Sequence, residues 1–541
     1  MISTNSLHQP EDNESSVFAD RIYFRPIGPA DSVASIRNWF EKCKSSHTTC
    51  AGANFGVAAM PTRLVDVGEE GKAPRLIATA GSVSQYLALS HRWGGACIVQ
   101  TTRANLEKHK QIIPLEDLCA TFRDAIAITK KLGYQFIWID SLCIIQDSPA
   151  DWEREAACMA TIYQNATLTL AAACATSGDT GLFQPRNPPS AVSMSDGGQG
   201  QTTTYVLQKP HGRSFKDEVV DGPLNTRAWC LQERHLSRRT VHFGHTQLFW
   251  ECQTTVWEEW SRATCSAYDR FSGNLTDGFI KHLSTFPWNK GPTPAQRRDA
   301  ADEYSTWYSL VSRYSCRAMT VADDKLPAIS GLASVFASYR HDTYAAGLWQ
   351  RDLPIGLLWC ADRGQKLTCP AKYRAPSWSW AARDGGIEST YSWDGSIEIE
   401  DVAPVIEIAA SDPYGRVISG LLGLRGALEK INLGRALGQA ESNFSWPPAN
   451  VQLLDNGGKL VGNGCLDNSD EVEDSTQIFC LMIFRVEVGF RPFALDRLQQ
   501  RGDWAWCLLL KPICDQKYGR VGLAQVHQAV FSGEKSLITI I

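Results

Sequence analysis

The hydrophobic pattern between residues 86 and 175 alternates between the period of a strand and the period of a helix. Short apolar runs predict buried strands at YLALS (86–90), YQFIWID (134–140) and TLTLAAA (167–173). Between neighbouring runs lies a segment whose apolar side chains recur at helical spacing. Helical connections of this kind join parallel strands, so the pattern predicts an α/β fold with a parallel sheet and crossover helices.

Polar and aromatic side chains follow the first two of these strands directly. They are Ser90, His91, Arg92 and Trp93 after the first strand, and Asp140 and Cys143 after the second. Open α/β sheets bind ligands beyond the carboxyl ends of their parallel strands, where neighbouring ends meet. We therefore expect these side chains to line one crevice.

Glu155 lies on the helix that follows Asp140. At about 100° per residue it stands about 60° from Trp152, the centre of the apolar stripe, so we expect Glu155 to be half-buried on the rim of that stripe. Burial of this kind raises the pKa of a carboxyl group. The alternative is an ordinary first-turn glutamate that the helix dipole favours.

Arg227, in the segment TRAWCLQE (226–233), is expected beside the same crevice. One interpretation makes Arg227 part of a binding site. The other is a buried ion pair with Asp140 that holds the 225–235 helix on the sheet, because a buried carboxylate needs a partner.

Cys143 also has two interpretations. With His91 it would form a thiolate–imidazole pair that Asp140 orients, as in cysteine nucleophiles. Alternatively it is a small core residue, which is the usual role of a buried cysteine.

Cys43, His47 and Cys50 have C-x3-H-x2-C spacing and fall on one helical face. Such a group binds zinc only with a fourth ligand from elsewhere in the chain. The sequence offers no second group of cysteine and histidine residues with ligand spacing. Ordinary packing is therefore the alternative, and no metal site is predicted.

Charge and motifs restrict the classes of ligand. The net charge of -5 gives no electrostatic reason to expect nucleic acid as a partner. The sequence has neither GxGxxG nor GxxxxGK[ST], so no phosphate-binding loop is recognised.

Targeting signals and cysteine usage favour a cytoplasmic protein without a membrane span. The segment MISTNSLHQPEDNESS (1–16) is polar and lacks the apolar stretch of a signal peptide. The longest apolar runs, such as IFCLMIF (478–484), are too short to cross a bilayer. Without a secretion signal, the 17 cysteines are expected to be reduced.

A chain of 541 residues is too long for one hydrophobic core. Changes in pattern predict a disordered N-terminus (1–31), an N-terminal helix with strands (32–85), the α/β domain (86–252), a mainly helical region (253–384) and a β-rich C-terminal region (385–541).

The α/β segments together resemble the HET (heterokaryon incompatibility) domain of filamentous fungi. The similar blocks are YLALSHRWGG (86–95), the stretch from FIWIDSLC to TLTLAA (136–172), GLF (181–183) and LNTRAWCLQERHLSRRTVHF (224–243), and they stand in family order. The segments WFEKCKSSHTTC (39–50) and RAPSWSWAARDGG (374–386) resemble blocks that accompany this domain.

The resemblance implies a fold related to the TIR domain, with a flavodoxin-like parallel sheet and helices on both sides. It also implies a role in fungal non-self recognition and regulated cell death. Some TIR relatives cleave the nicotinamide–ribose bond of NAD with a glutamate in the helix after a central strand, and Glu155 matches that position. In the TIR pattern the glutamate follows a Trp-Cys pair by four residues, whereas here Ala156 follows Trp152 by four. The match therefore rests on analogy of folds.

NAD would then be the substrate, and no other cofactor is implied. Asp140 and Glu155 would divide two tasks, stabilising an oxocarbenium-like charge and accepting a sugar hydroxyl. His91 is the third catalytic candidate. The substrate-binding candidates are Ser90, Arg92, Trp93, Cys143 and Arg227.

Two other classes of function stay open, a non-enzymatic interaction or signalling module and a small-molecule biosynthetic enzyme on the same scaffold. A deep, empty crevice with an acidic rim favours an enzyme, whereas a crevice filled by Trp93 or Trp138 favours the module. The partner is accordingly either a protein of the incompatibility system or a small-molecule or nucleotide ligand, and homo-oligomerisation is an open alternative.

Overall fold

A computed structural model describes residues 29–48, 50, 58–79, 81–94, 99–183, 191–195, 202–206, 214–259, 265–266, 300–362, 365–389, 395–409, 411–437, 448–473, 476–486 and 503–541. The α-helices are α1 (Pro29–Ser46), α2 (Leu106–Gln111), α3 (Ala120–Leu132), α4 (Asp140–Cys143), α5 (Pro149–Asn165), α6 (Cys230–Leu236), α7 (Ala300–Ser315), α8 (Pro327–Arg340) and α9 (Leu353–Gly356).

The strands of the first half are β1 (Ala58–Ala59), β2 (Arg63–Asp66), β3 (Arg75–Ala78), β4 (Val83–Ser84), β5 (Leu87–Ser90), β6 (Phe136–Trp138), β7 (Leu168–Ala171), β8 (Ala191–Ser195), β9 (Thr202–Val206), β10 (Arg239–Phe243), β11 (Leu248–Cys252), β12 (Thr255–Glu258) and β13 (Cys265–Ser266). Those of the second half are β14 (Tyr344–Ala345), β15 (Leu348–Trp349), β16 (Trp359–Ala361), β17 (Ile387–Ser389), β18 (Gly395–Ile397), β19 (Glu400–Ile408), β20 (Val417–Ala436), β21 (Val451–Leu454), β22 (Leu460–Leu466), β23 (Ile478–Val486), β24 (Trp504–Cys514), β25 (Lys517–His527) and β26 (Lys535–Ile540).

The predicted α/β unit lies in a nine-stranded sheet with the order β13-β12-β11-β10-β7-β5-β6-β2-β3. Its middle strands β10, β7, β5 and β6 run parallel to one another. Leu87 of β5 lies opposite Leu168 of β7 on one side and opposite Ile137 of β6 on the other. The prediction that segments 86–90 and 134–140 are parallel strands of one sheet is therefore confirmed.

The predicted parallel strands form only the middle of this sheet, because both of its edges are antiparallel. The β2–β3 hairpin joins β6 in antiparallel orientation, with Val65 opposite Ile137. At the other edge β10 turns back through β11 to β12, again antiparallel. A hairpin needs only a short loop, so it extends a parallel core without another helical crossover. The sheet is thus mixed, and its relation to flavodoxin-like folds stays a prediction.

Helix α5 packs on the middle of this sheet, as predicted for residues 150–164. The Tyr86 hydroxyl donates to the Ile162 carbonyl at 2.7 Å, and the Tyr163 hydroxyl donates to the Leu89 carbonyl at 3.1 Å. The rings of Tyr163 and Trp138 meet edge to face at 5.6 Å. These contacts fix α5 directly above β5 and β6.

The helical region packs against the α/β unit through α8. Gly331 of α8 donates its backbone N–H to the Gln232 side-chain oxygen at 3.1 Å. A Cβ atom at residue 331 would lie 2.8 Å from that oxygen and 2.9 Å from the Ala160 Cβ. Glycine is therefore needed here for the close approach of α8 to α5 and α6.

The predicted β-rich C-terminal region is confirmed by a second nine-stranded sheet with the order β18-β23-β24-β25-β22-β21-β20-β19, in which β26 pairs with β20 and β25. Its pairings are antiparallel except that between β25 and β26. Trp504 of β24 packs against His527 of β25 within this sheet.

The predicted disordered N-terminus (1–31) and the first part of the predicted helical region (253–384) fall largely outside the described residues. The helix predicted from residue 32 begins at Pro29. Among the helices that the structure describes, none has the length and apolarity needed to cross a membrane.

Candidate functional site

The carboxyl ends of β5 and β6 meet at one edge of the first sheet, because the two strands are parallel neighbours with Ala88 opposite Trp138. Just beyond these ends lie Ser90, His91, Trp93, Asp140, Arg227 and Glu233, which we call the strand-end cluster. The cluster contains most of the side chains that the sequence placed in one crevice, and it adds Glu233.

Several groups surround the Asp140 carboxylate. The Trp93 indole N–H donates to Asp140 Oδ2 at 2.6 Å, and the Ser141 backbone N–H donates to Asp140 Oδ1 at 2.7 Å. His91 Nε2 lies 3.6 Å from Asp140 Oδ1. Three different groups therefore surround one carboxylate whose side chain is 23% exposed.

His91 is buried beneath this carboxylate, and its ring meets the edge of Phe122 at 4.9 Å. Burial lowers the pKa of His91, and Asp140 only partly opposes this effect. The imidazole is therefore neutral at neutral pH. A neutral imidazole beside Asp140 is part of the packing of the cluster and adds no positive charge to it.

Arg227 does not form the expected ion pair with Asp140. Its guanidinium donates instead to the backbone carbonyl of His91 at 2.6 Å. Asp140 accepts instead from Trp93 and from the Ser141 backbone. Arg227 thus holds the segment after β5 through its backbone.

Glu233 was missed by the sequence reasoning, although it ends the segment TRAWCLQE. It lies on α6, accepts a hydrogen bond from the Ser90 hydroxyl at 2.5 Å and is 5% exposed. Burial raises the pKa of Glu233 to about 7, although Ser90 and Arg227 act in the opposite direction. Every residue of α6 is buried, so the helix has no polar face that would have marked Glu233 as inward-facing.

Glu155 lies in a separate group, the Arg63 cluster, which consists of Arg63, Asp151, Arg154 and Glu155. The Arg63 guanidinium forms an ion pair with Asp151 and lies 3.4 Å from Glu155 Oε1. Arg154 also lies 3.5 Å from that oxygen. Burial raises the pKa of Glu155, and Arg63 partly offsets the effect.

The expectation that Glu155 is half-buried is wrong, because the residue is only 1% exposed. Arg63 belongs to β2, which pairs with β6 at the sheet edge and brings its guanidinium to α5. The sequence reasoning had not placed the β2–β3 hairpin in this sheet. That hairpin turns the expected rim position into a buried ion pair.

Helix α4 lies between the two clusters. Its first residue, Asp140, belongs to the strand-end cluster, and the backbone carbonyl of its last residue, Cys143, accepts from Arg63 Nε at 2.6 Å. Among the described contacts, Glu155 and Asp140 therefore have no hydrogen-bond or ion-pair partner in common. The two carboxylates proposed to work together are in different groups.

Cys143 and Arg92 have no visible role in the strand-end cluster. Cys143 is fully buried, and burial raises the pKa of its thiol to about 12, so it stays protonated at neutral pH. This does not fit a thiolate nucleophile. Arg92 is half-buried and makes no hydrogen bond or ion pair with the residues that the structure describes.

A cavity of about 20 Å³ lies beside Ser90 and is lined further by Thr169, Cys230 and His242. This is room for about one water molecule. Larger clefts of about 480 Å³ beside Arg238 and about 350 Å³ beside Trp504 share no lining residue with the strand-end cluster.

Comparison with known proteins finds a family that this part of the chain is similar to. Residues 86–233 match the family described as "Heterokaryon incompatibility protein (HET)". The matched segment begins just before β5 and ends at Glu233, so it contains the whole strand-end cluster. No curated protein and no solved structure matches the chain. The relation to TIR domains accordingly stays a prediction.

Proposed function

Because residues 86–233 match the HET family, we propose that this protein acts in heterokaryon incompatibility and regulated cell death as an interaction module. In this proposal the domain acts by binding a partner protein or a second copy of itself, and it does not cleave NAD. The observation that carries the proposal is that polar side chains beyond β5 and β6 bind one another: Trp93 donates to Asp140, and Ser90 donates to Glu233.

The available volume supports this choice. Pockets for drug-sized ligands and cofactors enclose roughly 300–1,000 Å³, whereas the cavity beside Ser90 has about 20 Å³. Trp93, which the sequence offered as the test of a filled crevice, places its indole N–H on Asp140. The carboxylate that would serve a substrate is thus used within the protein.

The strand-end cluster joins three segments of the chain. Trp93 and Asp140 tie the loop after β5 to α4, Arg227 holds the His91 carbonyl, and Glu233 holds Ser90 to α6. Buried polar groups with mutual partners rigidify the elements that carry them. Arg92 is half-buried and makes no hydrogen bond or ion pair with the described residues, so we assign the partner contact to Arg92.

The competing candidate is cleavage of the N-glycosidic bond of NAD by Glu155 with Asp140. Its support is the raised pKa of Glu155, a frequent property of catalytic carboxyl groups. Ion pairing with Arg63, which Glu155 shares with the buried Asp151, gives a structural account of the same residue. A biosynthetic enzyme on this scaffold faces the same lack of volume.

The deciding experiment has two arms. In the first, the purified full chain is incubated with NAD and nicotinamide is measured by chromatography. In the second, the chain is expressed under an inducible promoter in a filamentous fungus, and dye exclusion and cellular NAD are followed together. We expect cell death after induction and no nicotinamide from the purified chain.

Two pairs of variants sharpen this experiment. Arg92→Ala should abolish killing and leave the melting temperature unchanged, whereas Arg75→Ala, a substitution on the exposed β3 edge, should retain killing. Glu155→Gln and its exposed neighbour Glu153→Gln should both kill. Nicotinamide release by the wild type that is lost in Glu155→Gln and kept in Glu153→Gln would establish the NAD-cleaving candidate instead.

A further inference from the structure

We propose that Cys43, His47, Cys50 and Cys252 bind one Zn²⁺ ion that fastens α1 to the edge of the first sheet. One ligand atom from each residue lies within 4.8 Å of the ligand atoms of the other three. The sequence offered the first three residues at ligand spacing and no fourth. The fold supplies the fourth, Cys252, which is 205 residues from His47.

The distances fit tetrahedral coordination. Zinc binds thiolate sulfur at about 2.3 Å and imidazole nitrogen at about 2.0–2.1 Å, which places neighbouring ligand atoms of a tetrahedron about 3.5–3.8 Å apart. His47 Nδ1 lies 3.4 Å from Cys252 Sγ and 3.9 Å from Cys50 Sγ. Small side-chain adjustments around an ion would close the set.

The local backbone explains how one face carries three ligands. Cys43 lies in the last turn of α1, and the His47 N–H donates to the Cys43 carbonyl at 3.1 Å. The Cys50 N–H in turn donates to the His47 carbonyl at 3.1 Å. The chain therefore keeps winding past the end of α1, and the three side chains remain on one side.

The surroundings suit an ion with three thiolates. Such a site carries a net charge of about -1, and second-shell donors and cations stabilise it. The Thr254 hydroxyl lies 3.4 Å from Cys50 Sγ, and the Arg239 guanidinium donates to the Cys50 carbonyl at 2.5 Å. The His47 ring packs on Trp257 at 5.4 Å, which fixes its orientation.

Ordinary packing explains the cluster less well. Cys43, Cys50 and Cys252 are each at most 1% exposed, and a buried cysteine by itself is usually a core residue. Elsewhere among the described residues buried cysteines meet in pairs, such as Cys480 with Cys507, without an imidazole. Of the described residues, this is the group of at least three such ligands that lies close enough to share an ion.

The ion would be structural. Four protein ligands leave no open coordination position, and three of them are buried. It would join the N-terminal helix α1 to β11, whose last residue is Cys252. The site lies outside the strand-end cluster and is independent of the proposed function.

The test is metal analysis of the full chain purified without chelator. We expect zinc equimolar with protein by inductively coupled plasma mass spectrometry. Cys252→Ser should lower the zinc content at least tenfold, and the control Cys158→Ser, which changes an exposed cysteine of α5, should keep it. His47→Cys should keep equimolar zinc, because four thiolates also form a structural zinc site.

Two measurements on the wild type keep the proposal falsifiable if a variant fails to fold. Titration with an organomercurial should release zinc in step with thiol modification, as followed with a chromogenic chelator. After exchange with Co²⁺, the protein should show the visible bands of tetrahedral cobalt and a thiolate charge-transfer band. Protein grown with added zinc that holds no stoichiometric metal, or a disulfide between two of these cysteines under reducing conditions, would overturn the proposal.

Discussion

Glu155 and Glu233 lie on two helices of the HET region and are both nearly inaccessible, with exposures of 1% and 5%. Glu155 faces a cation, because Arg63 Nη2 lies 3.4 Å from its Oε1. Glu233 accepts from a neutral hydroxyl, since Ser90 donates to it at 2.5 Å, and the charge of Arg227 only partly offsets the effect of burial on its pKa. The contrast shows that burial does not define the role of a carboxyl group. The partner decides whether the charge is compensated.

The largest effect is expected from removing the cation. Arg63→Met leaves Asp151 and Glu155 buried with only the half-exposed Arg154 beside them, so the free energy of unfolding should fall by about 3–5 kcal/mol. Arg75→Met is the matched control, because Arg75 is 56% exposed and pairs with Asp66 at the surface. That control should lose less than about 1 kcal/mol. If Arg63→Met and Arg75→Met lost the same free energy of unfolding in urea denaturation, Arg63 would not stabilise the buried carboxylates of its cluster.

Glu233 should make stability fall as the pH rises. Its pKa is raised from 4.5 to about 7 in the folded protein, so between these values the folded state binds more protons than the unfolded state. The free energy of unfolding therefore decreases from pH 4.5 to pH 7, by at most about 3 kcal/mol. Glu233→Gln keeps an acceptor for Ser90 and removes this loss.

The measurement compares Glu233→Gln with the wild type in denaturant melts between pH 4.5 and pH 8. The variant should gain stability relative to the wild type as the pH rises. His91 has a lowered pKa and gives the opposite slope, but it is present in both proteins and cancels in the difference. A constant difference over this range would mean that Glu233 ionises as freely as an exposed glutamate.

The smallest effect is expected from Glu155→Gln. Burial raises the pKa of Glu155, so its charged form gains little from the fold, and Asp151 still compensates Arg63. The free energy of unfolding should change by less than about 1 kcal/mol. Asp151→Asn should cost more, about 2 kcal/mol. Burial tends to raise the pKa of Asp151, but the contacts with Arg63, Ile145 and Arg154 outweigh it and lower that pKa, so the fold stabilises the charged form of Asp151. Thermal melts in which Glu155→Gln loses more stability than Asp151→Asn would contradict this distinction.

Much of the local structure could be predicted from the sequence. Apolar runs identified β5, β6 and β7, and the spacing between them indicated parallel pairing. Ser90, His91, Trp93 and Asp140 were expected together because they follow neighbouring parallel strands. Each of these inferences uses period or spacing within one supersecondary unit.

The sequence by itself determined the α/β unit, the β-rich C-terminal region and the place where polar side chains leave the sheet. The tertiary structure decided which distant residue completes each group. Arg63 is 92 residues from Glu155, Ser90 is 143 residues from Glu233, and His47 is 205 residues from Cys252. Hydrophobic periodicity reports which face of an element is buried, but it does not report which element covers that face. For that reason Glu155 was expected to be half-buried on a rim, and Cys252, the fourth ligand of the proposed zinc site, was not found until the strands were paired.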